Sequence, residues 1–345
     1  MARRRSDPSL ETETVYFAKG STLGQQYEAV LLDQEPYVKP QGESLELSQG
    51  QSSELRELLI DWLIPIVQRS QNYSLAFDRD FIDTYLNAVV SLLQAEEVGA
   101  KDGRVSLYNG EVFSLVNIVR KKNEHVIDSG VVTLWFQRTG YIHYLLTNWM
   151  FMKKDSDLVP RRIREWLVQE GARSLQDSVF ANSLAVHVNL AGEVAPGRLF
   201  FAAARRSRRL PLYPSLLSHS AGGDLSVEDF ASGDPLRFAM ARELVEELGV
   251  EVNPLEIRLG LLTRNQGQRQ PIAVGAFLTE KLQEKVASFS PSEETEALQL
   301  TSLEGLDEGD LHRERRWESW HPDTAVDLFG TLFALGLSSS THNTS

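Results

Sequence analysis

Three glutamates near residue 245 have the type and spacing to bind a metal ion. The stretch RELVEELGV, residues 242 to 250, places Glu243, Glu246 and Glu247 three and four positions apart. At 100° per residue, these side chains fall within an arc of about 100° on one face of a helix. Like charges this close repel one another, and a divalent cation reverses the sign of that interaction. Carboxylate oxygens without histidine or cysteine favour Mg²⁺ or Mn²⁺.

The same three acids also fit a solvated helix face, which is common in globular proteins. The other face of the stretch carries Ala241, Leu244, Val245 and Leu248. We expect these four apolar side chains to lie in the core. Gly249 follows at the position where a helix commonly ends.

Strand-like runs surround this helix, which we expect from about residue 235 to 248. β-Branched and aromatic residues in SLAVHVNLAG and GRLFFAAARRS predict two paired strands joined by AGEVAPG. LLSHSAGGDL predicts a further strand that ends in a Gly-Gly turn. Later patterns predict strands at 255 to 263 and 270 to 279, and a last helix at 322 to 336.

RELVEELGV resembles the second half of the Nudix box, Arg-Glu-apolar-x-Glu-Glu-x-Gly-apolar, at every specified position. The resemblance implies the Nudix fold, an α/β/α sandwich with a mixed sheet between helices. It also implies a hydrolase that cleaves the diphosphate linkage of a nucleoside diphosphate derivative. Catalysis would then rest on Arg242, Glu243, Glu246 and Glu247. The three glutamates would hold Mg²⁺ (or Mn²⁺), which neutralises diphosphate oxygens and acidifies the water that attacks phosphorus.

The first half of the box departs from the family spacing. The family pattern has Gly at position 228 and Glu at 234, where this chain has Glu228 and Asp234. Gly222 and Gly223 occur earlier, which implies an insertion such as SVEDFAS between the glycine turn and the helix. By resemblance, Asp234 pairs with Arg242. By residue type it is equally a helix N-cap, and both roles stay open.

Basic residues stand just before the glycine pair. Four arginines lie between positions 205 and 209, and guanidinium groups suit bidentate contacts with phosphate. We predict that Arg205, Arg206, Gly222 and Gly223 bind the substrate. A solvated loop or a partner-binding patch explains the arginines equally well.

Other polar residues are weaker candidates. Glu294 and Glu296 are distant candidates for the general base, although each also fits an ordinary surface acid. His187 and His219 lack the spacing of metal ligands. We therefore expect them to be packed or capping residues.

The length of 345 residues favours two domains. We predict a flexible segment at 1–50, a mixed α+β domain of unknown role at 51–176, the Nudix-like domain at 178–338 and a frayed tail at 339–345. In the N-terminal domain, patterns predict helices from 53 to 70, 79 to 97 and 160 to 174, and strands between 103 and 138.

Charge and composition narrow the partners. Asp and Glu number 48 against 35 Lys and Arg, so the net charge of −13 argues against nucleic acid and anionic lipid. The absence of cysteine excludes disulfides and thiolate zinc sites and agrees with a reducing compartment. The longest apolar passage, 141 to 152, is too short to span a bilayer. We expect a cytoplasmic protein whose substrate is a nucleotide-derived diphosphate.

Two other functions fit parts of the sequence. A nucleotide sensor with weak or no catalysis, whose N-terminal domain engages a partner, would explain Asp234 and the altered glycine spacing. Retention of all three glutamates argues against it. Isoprenyl diphosphate isomerisation resembles this chain in its long glycine loop, but those relatives use a cysteine that this chain lacks. The family resemblance is compatible with a homodimer.

Overall fold

The protein is described by a computed structural model. The described residues are 15–17, 27–32, 44–48, 52–70, 79–95, 100–101, 104–108, 110–120, 132–208, 213–265, 267–304, 320–321 and 323–337. Arg209 and the tail predicted to fray, 339–345, lie outside them. The chain divides into two compact units. Unit 1 contains Tyr27–Leu184 and Arg264–Pro271, and unit 2 contains Ala185–Thr263, the chain from Ile272 onward and the short strand β1 (Val15–Tyr16).

Unit 1 combines two small sheets with helices. Its strands are β2 (Tyr27–Leu31), β3 (Ser44–Ser48), β4 (Ala100–Lys101), β5 (Arg104–Tyr108), β6 (Glu111–Arg120) and β7 (Val132–Gly140). They form the sheets β2-β7-β6 and β3-β5-β4. The expectation of a flexible segment at 1–50 is therefore wrong for β1, β2 and β3, because each of these strands pairs with a later one.

Unit 1 has helices where the sequence patterns predicted them and also between residues 141 and 152, where no helix was predicted. They are α1 (Ser52–Arg69), α2 (Arg79–Ala95), α3 (Tyr141–Tyr144), a π-helix (Leu145–Trp149), α4 (Met150–Met152) and α5 (Arg161–Gly171). On α2, Tyr85, Leu86, Val89 and Leu93 are fully buried. No helix among the described residues has both the length and the apolar composition to cross a bilayer.

Unit 2 is built on one mixed sheet. Its later strands are β8 (Ala185–Ala195), β9 (Arg198–Arg206), β10 (Leu217–Ser218), β11 (Ala221–Asp224), β12 (Arg258–Arg264), β13 (Pro271–Leu278) and β14 (Thr295–Ser302). Strand β8 runs parallel to β13 and antiparallel to β9 and β11. Gly222 and Gly223 lie within β11, opposite His187 and Val186 of β8. The expected Gly-Gly turn is therefore wrong.

Helices cover both faces of this sheet. They are α6 (Val227–Phe230), α7 (Pro235–Leu248), α8 (Leu282–Ala287) and α9 (Thr324–Ala334). A Cβ on Gly275 would lie 2.6 Å from the Met240 sulfur of α7, whereas a Cβ on Gly330 of α9 would lie 2.7 Å from Val274 Cβ. Successive residues of a strand point to opposite faces, so α7 and α9 pack on opposite sides. The unit is an α/β/α sandwich with a mixed sheet between helices.

Helix α7 begins and ends at the predicted residues. Asp234 is its N-cap, accepting from the Arg237 amide, and Gly249 ends it with a φ of +64°. Leu244 is fully buried, but Val245 is 45% exposed. The predicted core position of Val245 is wrong, because the buried stripe runs through Met240 and includes part of the acidic face.

Candidate functional site

The three glutamates of α7 open onto one pocket of about 300 Å³. Its lining residues are Glu243, Glu246, Glu247, Ser292, Glu293 and Glu294. The last three precede β14, which pairs with β9. Two segments far apart in sequence thus bring five carboxylates to one cavity. We call this set the acidic pocket.

Glu247 is held at both carboxylate oxygens. Oε1 accepts a hydrogen bond from the Gly222 amide at 2.8 Å, and Oε2 accepts one from Thr295 Oγ1 at 3.2 Å. Burial raises the pKa of Glu247 to about 8, and the charges of Glu294 and Glu243 act in the same direction. Glu247 therefore exchanges a proton in the range where a general base works at neutral pH.

Glu243 occupies space that a missing side chain provides. A Cβ on Gly223 would lie 2.3 Å from Glu243 Oε1 and 2.6 Å from its Cδ, so Gly223 admits the carboxylate to the edge of β11. Burial raises the pKa of Glu243 to about 7, against the opposing charge of Arg242. An ionised Glu243 is costly without a cation nearby.

Arg242 supplies part of that positive charge. Its Nη1 donates to Glu243 Oε1 at 2.6 Å and to Glu246 Oε2 at 3.1 Å. Its Nε and Nη2 donate to the carboxylate of Asp229 at 3.3 and 3.1 Å. Although burial works against the charged form, these acids raise the pKa of Arg242 above its usual range. Arg242 therefore relieves some of the repulsion that the spacing of the glutamates predicts.

Asp229, and not Asp234, anchors the arginine. Asp234 forms its ion pair with Arg237 at 2.6 Å. The predicted Asp234–Arg242 pair is wrong, whereas the predicted N-cap is confirmed. Asp229 lies in the inserted segment, where Ser226 and Asp229 form a capping box that starts α6. The sequence signal for it was present, because a serine followed three residues later by an acid is typical of such a box.

The two predicted phosphate-binding arginines separate. Burial lowers the pKa of Arg206, while the charges of Glu247 and Glu294 oppose that shift, so its guanidinium lies within electrostatic reach of the acidic pocket. Arg205 instead donates to the Ser215 carbonyl at 3.1 Å.

The two candidates for the general base, Glu294 and Glu296, also lie in different surroundings. Glu294 lines the pocket, whereas Glu296 accepts from the Arg208 amide at 2.9 Å.

A second cluster of titratable side chains lies beside Gly222. It includes Asp327, which the sequence analysis did not single out. Asp327 of α9 accepts from Nδ1 of His187 at 2.7 Å and from Nδ1 of His219 at 3.1 Å. All three side chains are buried, and the imidazole rings stack with centroids 3.8 Å apart. Their spacing along the chain, with the nearest pair 32 residues apart, carries no motif. We call these residues the histidine cluster.

The two histidines of the cluster differ in their pKa values. Although burial disfavours the imidazolium, Asp327 raises the pKa of His187 above its usual value. Burial and the charge of His187 lower the pKa of His219 to about 4. Burial alone would raise the pKa of Asp327, but the two histidines hold it well below its usual range. Asp327 thus favours a proton on His187 more than on His219.

The two clusters differ as cation sites. Among the described residues, only the histidine cluster brings three ligand-type side chains within 4.8 Å of one another. Both Nδ1 atoms, however, are already hydrogen-bonded to the Asp327 carboxylate, so an ion at these atoms would have to replace those hydrogen bonds. The acidic pocket offers oxygen donors alone beside an open volume, which suits Mg²⁺ or Mn²⁺ completed by water and phosphate.

Comparisons with known proteins identify similar folds only. No family model and no curated protein matches the chain. Among solved structures, DR0079 from Deinococcus radiodurans matches at 23% identity, covering 43% of this chain and 82% of that one, with a TM-score of 0.32. A NUDIX hydrolase from Alicyclobacillus acidocaldarius matches at 15%, covering 42% and 88%, with a TM-score of 0.30.

A MutT/nudix family protein from Enterococcus faecalis matches at 12% identity, with a TM-score of 0.26. That match covers 34% of this chain and 43% of the other. The relationship of this chain to the Nudix superfamily therefore stays a prediction that rests on its own residues.

Proposed function

We propose that unit 2 is a divalent-metal-dependent hydrolase that cleaves the diphosphate linkage of a nucleoside diphosphate derivative. The observation that supports it most is the acidic pocket itself. Helix α7 and the segment before β14 direct five carboxylates to one open cavity, and Glu243 and Glu247 have raised pKa values there. Such a cluster is stabilised by cations.

Glu243, Glu246 and Glu247 would hold Mg²⁺ or Mn²⁺. When bound, the cation would neutralise diphosphate oxygens and acidify a water molecule. The protein's own groups supply the rest. Glu247 can accept a proton near neutral pH, Arg206 can attract phosphate oxygens toward the pocket, and Arg242 keeps Glu243 and Glu246 in place.

The alternative of a sensor without catalysis has lost part of its motivation. It rested on Asp234 and the altered glycine spacing, and Asp234 indeed pairs with Arg237 and not with Arg242. Asp229 takes that position in this protein, with hydrogen bonds of 3.3 and 3.1 Å to Arg242. Asp229 therefore replaces the acid that the family pattern expects at position 234, which favours the enzyme over the sensor.

Release of nucleoside monophosphate from dinucleotides and nucleotide sugars, with Mg²⁺ or Mn²⁺, tests the proposal. Glu246→Gln and Glu247→Gln should each lower turnover by about 100-fold or more, because each removes a charge from the reaction site. Glu251→Gln is the matched control, since Glu251 is an exposed glutamate beyond the end of α7.

Two results would count against the enzyme. Turnover that both pocket variants leave unchanged would remove the acidic pocket from catalysis. Thermal stabilisation by a metabolite of the panel without any product would favour the sensor instead.

A further inference from the structure

The histidine cluster joins helix α9 to the glycine strand β11. Asp327 on α9 is 1% exposed, and its two oxygens bind His187 of β8 and His219, which precedes β11. A charged carboxylate that accepts two imidazole N–H bonds holds both rings in one orientation. The stacking of the rings, 3.8 Å between centroids, leaves little freedom for either to move alone.

Gly222 lies directly against these rings. A Cβ on Gly222 would lie 2.6 Å from His219 Nε2 and 2.9 Å from His187 Cδ2. His187 is also the cross-strand partner of Gly222 in the β8–β11 ladder. The two imidazoles therefore limit movement of the Gly222 backbone toward that side of the sheet, while the β8–β11 ladder holds it in register.

The same glycine reaches the acidic pocket through its amide. Gly222 N–H donates to Glu247 Oε1 at 2.8 Å. The other oxygen of Glu247 is held by Thr295, a residue of β14. A continuous set of contacts thus leads from Asp327 through the rings and Gly222 to the Glu247 carboxylate.

We infer that Asp327 is a positioning residue for the acidic pocket: it holds His187 and His219 against Gly222, whose amide orients Glu247 toward a divalent cation. This inference rests on the proposed function, because it concerns the cation that the pocket would bind. Helix α9 thereby sets the metal affinity from the opposite face of the sheet, without contact with the metal or the substrate.

The variant Asp327→Asn tests this, with Thr331→Val as its matched control. Thr331 is one turn further along α9 and equally buried, and its hydroxyl bonds Asn189 and the Asp327 carbonyl. Both variants remove a buried polar contact between α9 and the sheet. Mn²⁺ binding to the full chain, followed by electron paramagnetic resonance of the free ion, should weaken about 10-fold in Asp327→Asn. In Thr331→Val it should change less than about twofold, since the Thr331 side chain binds Asn189 and neither imidazole.

A second measurement does not depend on metal. Hydrogen exchange of the Gly222 amide, followed by nuclear magnetic resonance without added ions, should be faster in Asp327→Asn than in Thr331→Val. If Asp327→Asn does not fold, His219→Asn serves in its place, because it removes the same contact with Gly222 and should give the same results.

The outcomes separate the two proposals. Wild-type protein that binds no Mn²⁺ would overturn the proposed function. Wild-type protein that binds Mn²⁺ with the same affinity as Asp327→Asn would overturn the positioning role alone, as would unchanged exchange at Gly222. Strong visible absorption of added Co²⁺ that His187→Asn abolishes would also overturn it, because the histidine cluster would then be a metal site itself.

Discussion

Gly222 and Gly223 separate two titratable clusters that differ in nearly every respect. On the α7 side, three glutamates from one helix open onto a cavity, and two of them accept hydrogen bonds from Arg242. On the α9 side, His187, His219 and Asp327 come from three elements and are buried. The side-chain position of Gly223 faces Glu243 and that of Gly222 faces the two imidazoles, because neighbouring residues of a strand face opposite ways. Adjacent residues of one motif can therefore serve two separate structures.

Among the substitutions compared here, Gly223→Ala should lower metal-dependent turnover most. The added methyl would meet the end of the Glu243 side chain, 2.3 Å from Oε1, and that end can swing away. We expect metal-dependent turnover to fall about 100-fold because a pocket carboxylate is displaced, while thermal unfolding changes little. Assays of turnover and melting on the same preparation check this. Full activity would show that the position of Glu243 is unimportant.

The affinity of the acidic pocket for metal should depend steeply on pH. Burial raises the pKa of Glu243 to about 7 and that of Glu247 to about 8, so at pH 6 a cation must displace their protons. From pH 8 to pH 6 the ionised fraction falls about 10-fold for Glu243 and about 50-fold for Glu247, so Mn²⁺ affinity should fall about 500-fold if the cation needs both acids ionised. Titrations at both pH values measure it, and Glu247→Gln should reduce the slope. A flat profile would remove these acids from the metal site.

The same pKa shifts determine how the stability of the metal-free protein changes with pH. Both acids have folded pKa values above the ordinary 4.5, so the folded state binds more protons between that value and pH 7 to 8. Stability should accordingly fall as pH rises through this window. Mg²⁺ should restore part of it, which unfolding by urea at pH 5 and pH 8 would measure.

Gly222→Ala should mainly lower the stability of the protein, whereas Gly223→Ala should mainly lower turnover. Its added Cβ would meet the Val186 carbonyl at 2.7 Å as well as the His219 ring, and a strand backbone cannot retreat as a side chain can. We expect a loss of about 1–3 kcal/mol in the free energy of unfolding. Denaturant unfolding of Gly222→Ala and Gly223→Ala under the same conditions compares their free energies of unfolding directly. Equal stabilities would mean that the two glycines are not specialised.

The smallest effect should distinguish Asp229 from Asp234. Both form ion pairs with arginines, at 3.1 Å with Arg242 and 2.6 Å with Arg237, so each change to Asn should lower stability. Only Asp229→Asn should also raise the Mg²⁺ concentration for half-maximal turnover, by about fivefold, since Arg242 touches two pocket glutamates. The same shift in Asp234→Asn would restore the family pairing that the structure contradicts.

Much of unit 2 could be predicted because its signals are local. The helix expected at about 235 to 248 is Pro235–Leu248, with the predicted caps at Asp234 and Gly249. The strands expected at 255 to 263 and 270 to 279 are Arg258–Arg264 and Pro271–Leu278. Caps, periodicity and turn residues act within a few positions. Val245 was misplaced because the buried stripe of a helix depends on the sheet beneath it.

The sequence by itself determined the acidic pocket's helix, since 3.6 residues per turn bring Glu243, Glu246 and Glu247 together wherever that helix lies. Only the tertiary structure decided what surrounds them. Strand pairing placed Glu294 beside the pocket and turned Glu296 away, and helix packing brought Asp327 to two histidines over 100 residues distant. These contacts depend on how elements pack across the sheet, and spacing along the chain carries no record of that packing.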